Sequence, residues 1–136
     1  MLTDKQIKDL KEHLDRAQNP VFFFDNDPDG LCSFLLLQRY LGRGKGVPIK
    51  SFPEFDASYF RKVDELKGDY VFILDKPVVS KGFWEKVEQR NVPVVWIDHH
   101  EIQDKELGVP EFVNYFNPMY DENMKMKKGE AEPVTV

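Results

Sequence analysis

Three short segments concentrate the side chains able to do chemistry: Asp25-Asn26-Asp27-Pro28-Asp29-Gly30, the lone Asp75, and Asp98-His99-His100. Each follows an apolar run, Val21 to Phe24, Tyr70 to Leu74 and Val92 to Ile97 respectively. Carboxylates gathered in one place repel one another unless cations hold them. Oxygen-rich ligand sets with one or two imidazoles suit Mn²⁺ or Mg²⁺ better than zinc or copper. A carboxylate able to bridge two ions points further, to a two-metal hydrolytic centre.

Other readings compete segment by segment. The spacing of Asp25, Asp27, Asp29 and Gly30 resembles the start of an EF-hand loop, but the glutamate required at loop position 12 falls at Leu36, inside an apolar run. That reading fails. A polar turn between a strand and a helix also uses aspartate and glycine freely, and Asp75 alone reads as a helix cap. Adjacent histidines directly after an apolar run, in a chain with three histidines, are harder to explain structurally.

The elements that would position these segments follow from periodicity. Within an N-terminal amphipathic segment, residues 1–18, Ile7, Leu10, Leu14 and Ala17 have helical spacing, and Thr3 with Gln6 forms a capping-box signature. His13 falls on the polar face and is expected in solvent. Val21 to Phe24 reads as a strand buried on both faces. A helix then runs from Leu31 to Leu41 and stops at Gly42, Gly44 and Gly46. The alternation continues with strand Val47 to Phe52, helix Ala57 to Lys67, strand Tyr70 to Leu74, helix Ser80 to Arg90 and strand Val92 to Ile97. A further strand is expected at Phe112 to Phe116, and residues 117–132 read as a polar loop. This order predicts an α/β fold with a parallel, Rossmann-like sheet and helices on both faces. The three acidic segments would then lie beyond the carboxyl ends of strands, where open parallel sheets bind ligands.

Composition sets the outer bounds. With 136 residues and 41% hydrophobic residues, the chain is one α/β-sized unit, whole or part of a larger one. Apart from Asp25, Asp27, Asp29, Asp75 and Asp98, acidic and basic residues balance at 19 each, so those five aspartates account for the whole net charge of −5. Such a charge argues against a generic nucleic-acid coat protein. One cysteine makes neither an internal disulfide nor a thiolate metal cluster, and Cys32, among Leu31, Phe34 and Leu35, is expected in the core. No apolar run approaches the ~20 residues of a membrane span, and the acidic start lacks a signal-peptide layout, so a soluble, cytoplasmic protein without membrane partners is expected.

Taken together, the three segments resemble motifs I, II and III of the DHH phosphoesterase superfamily over roughly residues 20–120. The triple-aspartate form of the first motif is closer to the RecJ-like branch than to the family's pyrophosphatases, which carry a histidine where Phe23 stands. The resemblance implies a Mn²⁺-dependent phosphodiester hydrolase, an exonuclease on single-stranded nucleic acid or a phosphodiesterase of short oligonucleotides, using two ions, with Mg²⁺ as a substitute. Asp27 and Asp29 would each hold one ion, Asp75 would bridge the pair and His99 would complete one ion's shell. Asp25 joins the metal residues, its direct ligation left open. Asp98 would orient a histidine ring from behind, and His100, with Asp75, would serve catalysis by facing the phosphate.

Two departures from the family pattern shape the expectation. The fourth motif, another metal-ligating aspartate on a later strand, is not found, and neither Asp104 nor Asp121 follows a convincing buried strand. The family's C-terminal substrate-binding domain is also missing. The resemblance therefore covers the first portion of a DHH domain, to be completed by downstream sequence or a partner chain. The basic run Lys125, Lys127 and Lys128 is a candidate substrate contact, as a solvated loop is its alternative. Arg39, Arg43 and Lys45 share that ambiguity. The competing function is a non-catalytic DHH-like scaffold in a replication or repair complex.

Overall fold

A computed structural model describes residues 2–50, 55–76, 78–99 and 109–118 of the protein. His100, Asp104, Asp121, Lys125, Lys127 and Lys128 lie outside the described residues, as does the expected polar loop beyond Pro118.

Helix α1, Asp4–Arg16, starts at the capping box: Gln6 N–H donates to Thr3 Oγ1 at 3.1 Å and Thr3 N–H to Gln6 Oε1 at 2.8 Å. Strand β1, Pro20–Asp25, runs directly into α2, Pro28–Leu41. Then come β2 at Lys45–Ile49, a short 3-10 turn at Ala57–Phe60, α3 at Arg61–Glu65 and β3 at Tyr70–Leu74. Helix α4, Lys81–Arg90, precedes β4, Val94–Ile97, and β5, Val113–Phe116. The expected helix over 57–67 is thus two shorter pieces. The expected helix from Leu31 begins three residues earlier, because Asp27 caps it and Pro28 has the fixed φ of a first helical turn.

Among the described residues, all five strands are parallel, in the order β2-β1-β3-β4-β5. The chain leaves β1 toward β2 on one side and returns to β3 on the other, which makes the β1/β3 junction a topological switch point. Pro48 is tolerated because β2 is, among the described residues, an edge strand. Phe24 is level with Leu74, Leu74 with Ile97, and Ile97 with Phe116. The next residues, Asp25, Asp75, Asp98 and Asn117, therefore stand at one level at this end of the sheet.

Alternating side chains fill two cores, one on each face. Val21, Phe23, Ile73 and Trp96 pack with Phe55, Phe83 and Val87 on the α4 side. Phe22, Phe24, Phe72, Leu74 and Val95 pack beneath α1 and α2, with Leu14 and Ala17 fully enclosed. Each buried phenylalanine contributes about 2–3 kcal/mol of apolar burial. His13 departs from expectation: it is half-buried, hydrogen-bonded to Tyr70 Oη, with its ring edge-on to Tyr70 and Phe116. Cys32 departs the other way. It is exposed, because α2 turns Phe34, Leu37 and Leu41 inward and leaves Leu31, Leu35, Leu36 and Tyr40 outward. Among the described residues, no helix is long and apolar enough to cross a membrane.

Candidate metal centre

The site is built where β1 passes into α2. Asp27 N–H donates to Asp25 O at 2.8 Å and Asn26 N–H to Ile49 O at 3.0 Å, folding the chain sharply over the strand end. Asp27 is the N-cap of α2, its Oδ1 accepting from Gly30 N–H at 2.8 Å, so its carboxylate is oriented by the helix it starts. Asp29 lies in the first turn, where the helix dipole favours negative charge. Gly30 permits the turn: a Cβ there would stand 2.0 Å from Asp25 O. Motif spacing and helix start are thus one structure.

Asp75 is not the cap of α4, a role taken by Ser80, whose Oγ accepts from Phe83 N–H. It is 4% exposed and adopts a left-handed backbone, φ 61°, that aspartate tolerates better than most side chains. Its N–H still donates to Ile97 O at 2.9 Å, which holds it to the neighbouring strand. Trp96 Nε1 donates to the carbonyl of Lys76 at 2.8 Å and fixes the chain just beyond.

Past β4, Asp98 is buried, with its N–H donating to Phe116 O at 3.0 Å. Burial pushes the Tyr115 hydroxyl up to about 12, against a hydrogen bond from Asn117 and with the charge of Asp98 adding to the rise. His99 turns the other way, and its Nε2 lies 2.7 Å from Asp75 Oδ1.

Two groups of potential ligands result, each with its ligand atoms within 4.8 Å of one another: Asp29, Asp75 and His99, and Asp25, Asp27 and Asp75. Asp75 belongs to both. The donor set is oxygen-rich with one imidazole, which fits hard or borderline divalent cations, and the two groups are able to hold metal side by side. Burial raises the carboxyl of Asp25 above its ordinary range; the Lys76 ammonium opposes the rise and Asp27 adds to it.

One residue at this site escaped the sequence reading. Lys76 is largely buried, and its Nζ lies 3.4 Å from Asp25 Oδ1. The only signal for it was its place directly after a strand-end aspartate. Arg43, by contrast, is occupied at the end of α1: it donates to the carbonyls of Ala17, Leu14 and Asp15.

Among curated proteins, none matches the sequence. Of solved structures, a crystal structure titled as an ABC transporter permease from the Pseudomonas fluorescens group is similar, with a TM-score of 0.47 and 16% identity over 71% of this chain. The chain spans 28% of the length of that protein, and a likeness so loose bears on neither fold nor function. The family model for the N-terminal domain of the DHH family matches residues 21–125, from the first residue of the β1 apolar run to beyond all three acidic segments. With that match over an α/β domain whose strand ends carry these carboxylates, the chain belongs to the DHH family and shares its phosphoesterase ancestry.

Proposed function

We propose that this chain carries the metal-binding part of a RecJ-like, Mn²⁺-dependent phosphodiester hydrolase acting on single-stranded nucleic acid or short oligonucleotides. The observation that carries this reading is the sharing of one buried carboxylate, Asp75, by two ligand groups. In the proposal, Asp27 and Asp29 would hold one ion each, Asp25 would support the Asp27 side, Asp75 would serve both groups and His99 would complete the Asp29 side. Bound there, two Mn²⁺ ions would supply the positive charge that activates water and stabilises the oxyanions of in-line attack on phosphorus. The chain's own residues hold those charges in register: Asp27 is oriented by Gly30 N–H, and Asp75 is held by its bond to β4. His100 is assigned to the substrate phosphate, Asp98 to orienting a histidine and Lys125, Lys127 and Lys128 to the nucleic-acid backbone. The match to an N-terminal family domain supports a further assignment, that a downstream domain or partner chain completes the substrate site.

The test is cleavage of labelled single-stranded DNA, RNA and dinucleotides with Mn²⁺, by residues 1–136 and by a longer polypeptide carrying the natural downstream sequence. Asp75→Asn serves as the control for contaminating nuclease. Mn²⁺-dependent cleavage that is weak in the short chain, stronger in the long one and absent from Asp75→Asn is the expected outcome. Stoichiometric Mn²⁺ binding with no turnover by either polypeptide would favour the non-catalytic scaffold.

A further inference from the structure

The Asp25, Asp27 and Asp75 group already has a cation beside it. Lys76 follows Asp75 directly, its side chain is 11% exposed, and its Nζ lies 3.4 Å from Asp25 Oδ1. A buried ammonium is costly unless it is paired, so this position has to be held. Its backbone is fixed on both sides: Asp75 before it is left-handed, and Trp96 Nε1 donates to the Lys76 carbonyl from the core. The ammonium thus sits at one pole of the cluster. The other group, Asp29, Asp75 and His99, draws on an imidazole instead.

We infer that Lys76 is a built-in counter-cation of the metal centre, neutralising Asp25 while no divalent ion is bound and releasing that carboxylate when one binds. The inference rests on the metal-centre reading above and adds a positioning residue to it. Asp25 cannot serve the ammonium and an ion fully at once, and two cations at one pole repel each other. Removing the lysine charge therefore raises the free energy of the metal-free state more than that of the metal-loaded state. Two effects of opposite sense follow from one substitution: lower stability without metal and tighter binding of metal.

The experiment is calorimetric titration with MnCl₂, with melting in EDTA, for the wild-type chain, Lys76→Met, Lys76→Arg, Asp25→Asn and the Asp25→Asn/Lys76→Met double variant. Lys76→Met should bind Mn²⁺ about tenfold more tightly, well below the Coulomb term for a close pair at an effective dielectric of about 20, because the lysine side chain relaxes away from a bound ion. Its melting temperature in EDTA should fall by about 3–10 °C. Lys76→Arg should stay close to wild type, and in the Asp25→Asn background Lys76→Met should tighten Mn²⁺ binding by clearly less than in the wild-type background, because only the direct repulsion between the two cations is left to relieve. A lysine that only supports the fold would lower stability with and without metal alike and tighten nothing. If Lys76→Met does not fold in EDTA, Lys76→Gln is titrated in its place. Unchanged or weaker Mn²⁺ affinity in the uncharged variants, or an equal effect in the Asp25→Asn background, overturns the inference. A wild-type chain that binds no Mn²⁺ overturns the metal centre itself, and this inference with it.

Discussion

His99 Nε2 lies 2.7 Å from Asp75 Oδ1, which joins an imidazole leaving β4 to a carboxylate leaving β3. The two differ sharply in exposure: the His99 side chain is 59% exposed and that of Asp75 4%. The aspartate is thus fixed by the core, while the histidine approaches it from solvent. A cation entering between them would meet one ligand held in the core and one exposed to solvent.

Because Asp75 is common to both ligand groups, it should decide all metal-linked stability. At a hundredfold excess of Mn²⁺ over its Kd, mass action stabilises the native state by about 2.7 kcal/mol. That corresponds to a rise in melting temperature of roughly 10 °C for a domain of this size. Asp75→Asn should fold and show no rise. Asp75→Ala should also be less stable in EDTA than Asp75→Asn by about 1–2 kcal/mol, since φ is 61° and alanine tolerates that backbone poorly. Equal Mn²⁺ shifts in wild type and Asp75→Asn would remove Asp75 from the site.

Gly30→Ala should damage fold and site together. The added methyl would meet Asp25 O at 2.0 Å, so the first turn of α2 must move away from β1. Overpacking of this kind costs about 1–3 kcal/mol. Asp27 and Asp29 travel with that turn, so Mn²⁺ affinity should drop in the same variant; calorimetry and thermal melting would show both changes. Full metal affinity with reduced stability would mean that the turn does not position the ligands.

His13 should make stability depend on pH. Burial lowers its pKa below 6.5, Arg16 acts the same way, and Asp9 and Glu12 oppose them; Tyr70 Oη is its hydrogen-bond partner. A histidine with a depressed folded-state pKa contributes stability that is present above its unfolded value and lost as pH falls through the folded one. Melting temperature should therefore decline below about pH 6.5. His13→Gln should show a shallower decline from pH 7 to 5, measured in EDTA. Parallel curves for the two proteins would remove His13 from the acid response.

Cys32 should react with a thiol reagent such as DTNB in the folded protein, at a rate that denaturant raises only modestly, because the side chain is exposed on α2. Cys32→Ser should alter stability by less than about 0.5 kcal/mol, as expected for a surface position. Labelling that requires global unfolding would place the thiol back in the core.

The sequence by itself determined the elements and the ends that matter. Val21 to Phe24 and Tyr70 to Leu74 are apolar throughout because both faces of a parallel sheet are covered, and the aspartates that break these runs mark the strand ends. The Thr3 and Gln6 cap was equally legible, since both of its bonds are local. Helix α2 shows the limit of such signals. It is apolar on nearly every side, so periodicity could not tell that Phe34 and Leu37 face the sheet while Cys32 and Leu36 face outward. The tertiary structure alone decided that β3, not β2, lies beside β1 on the way to β4, a choice that depends on packing between strands far apart in the chain. That order puts Asp25, Asp75 and Asp98 side by side at one level, seats Lys76 against Asp25 and makes Asp75 common to both ligand groups. Contacts of this kind depend on distances across the sheet edge, and those arise only when separate strands align in register.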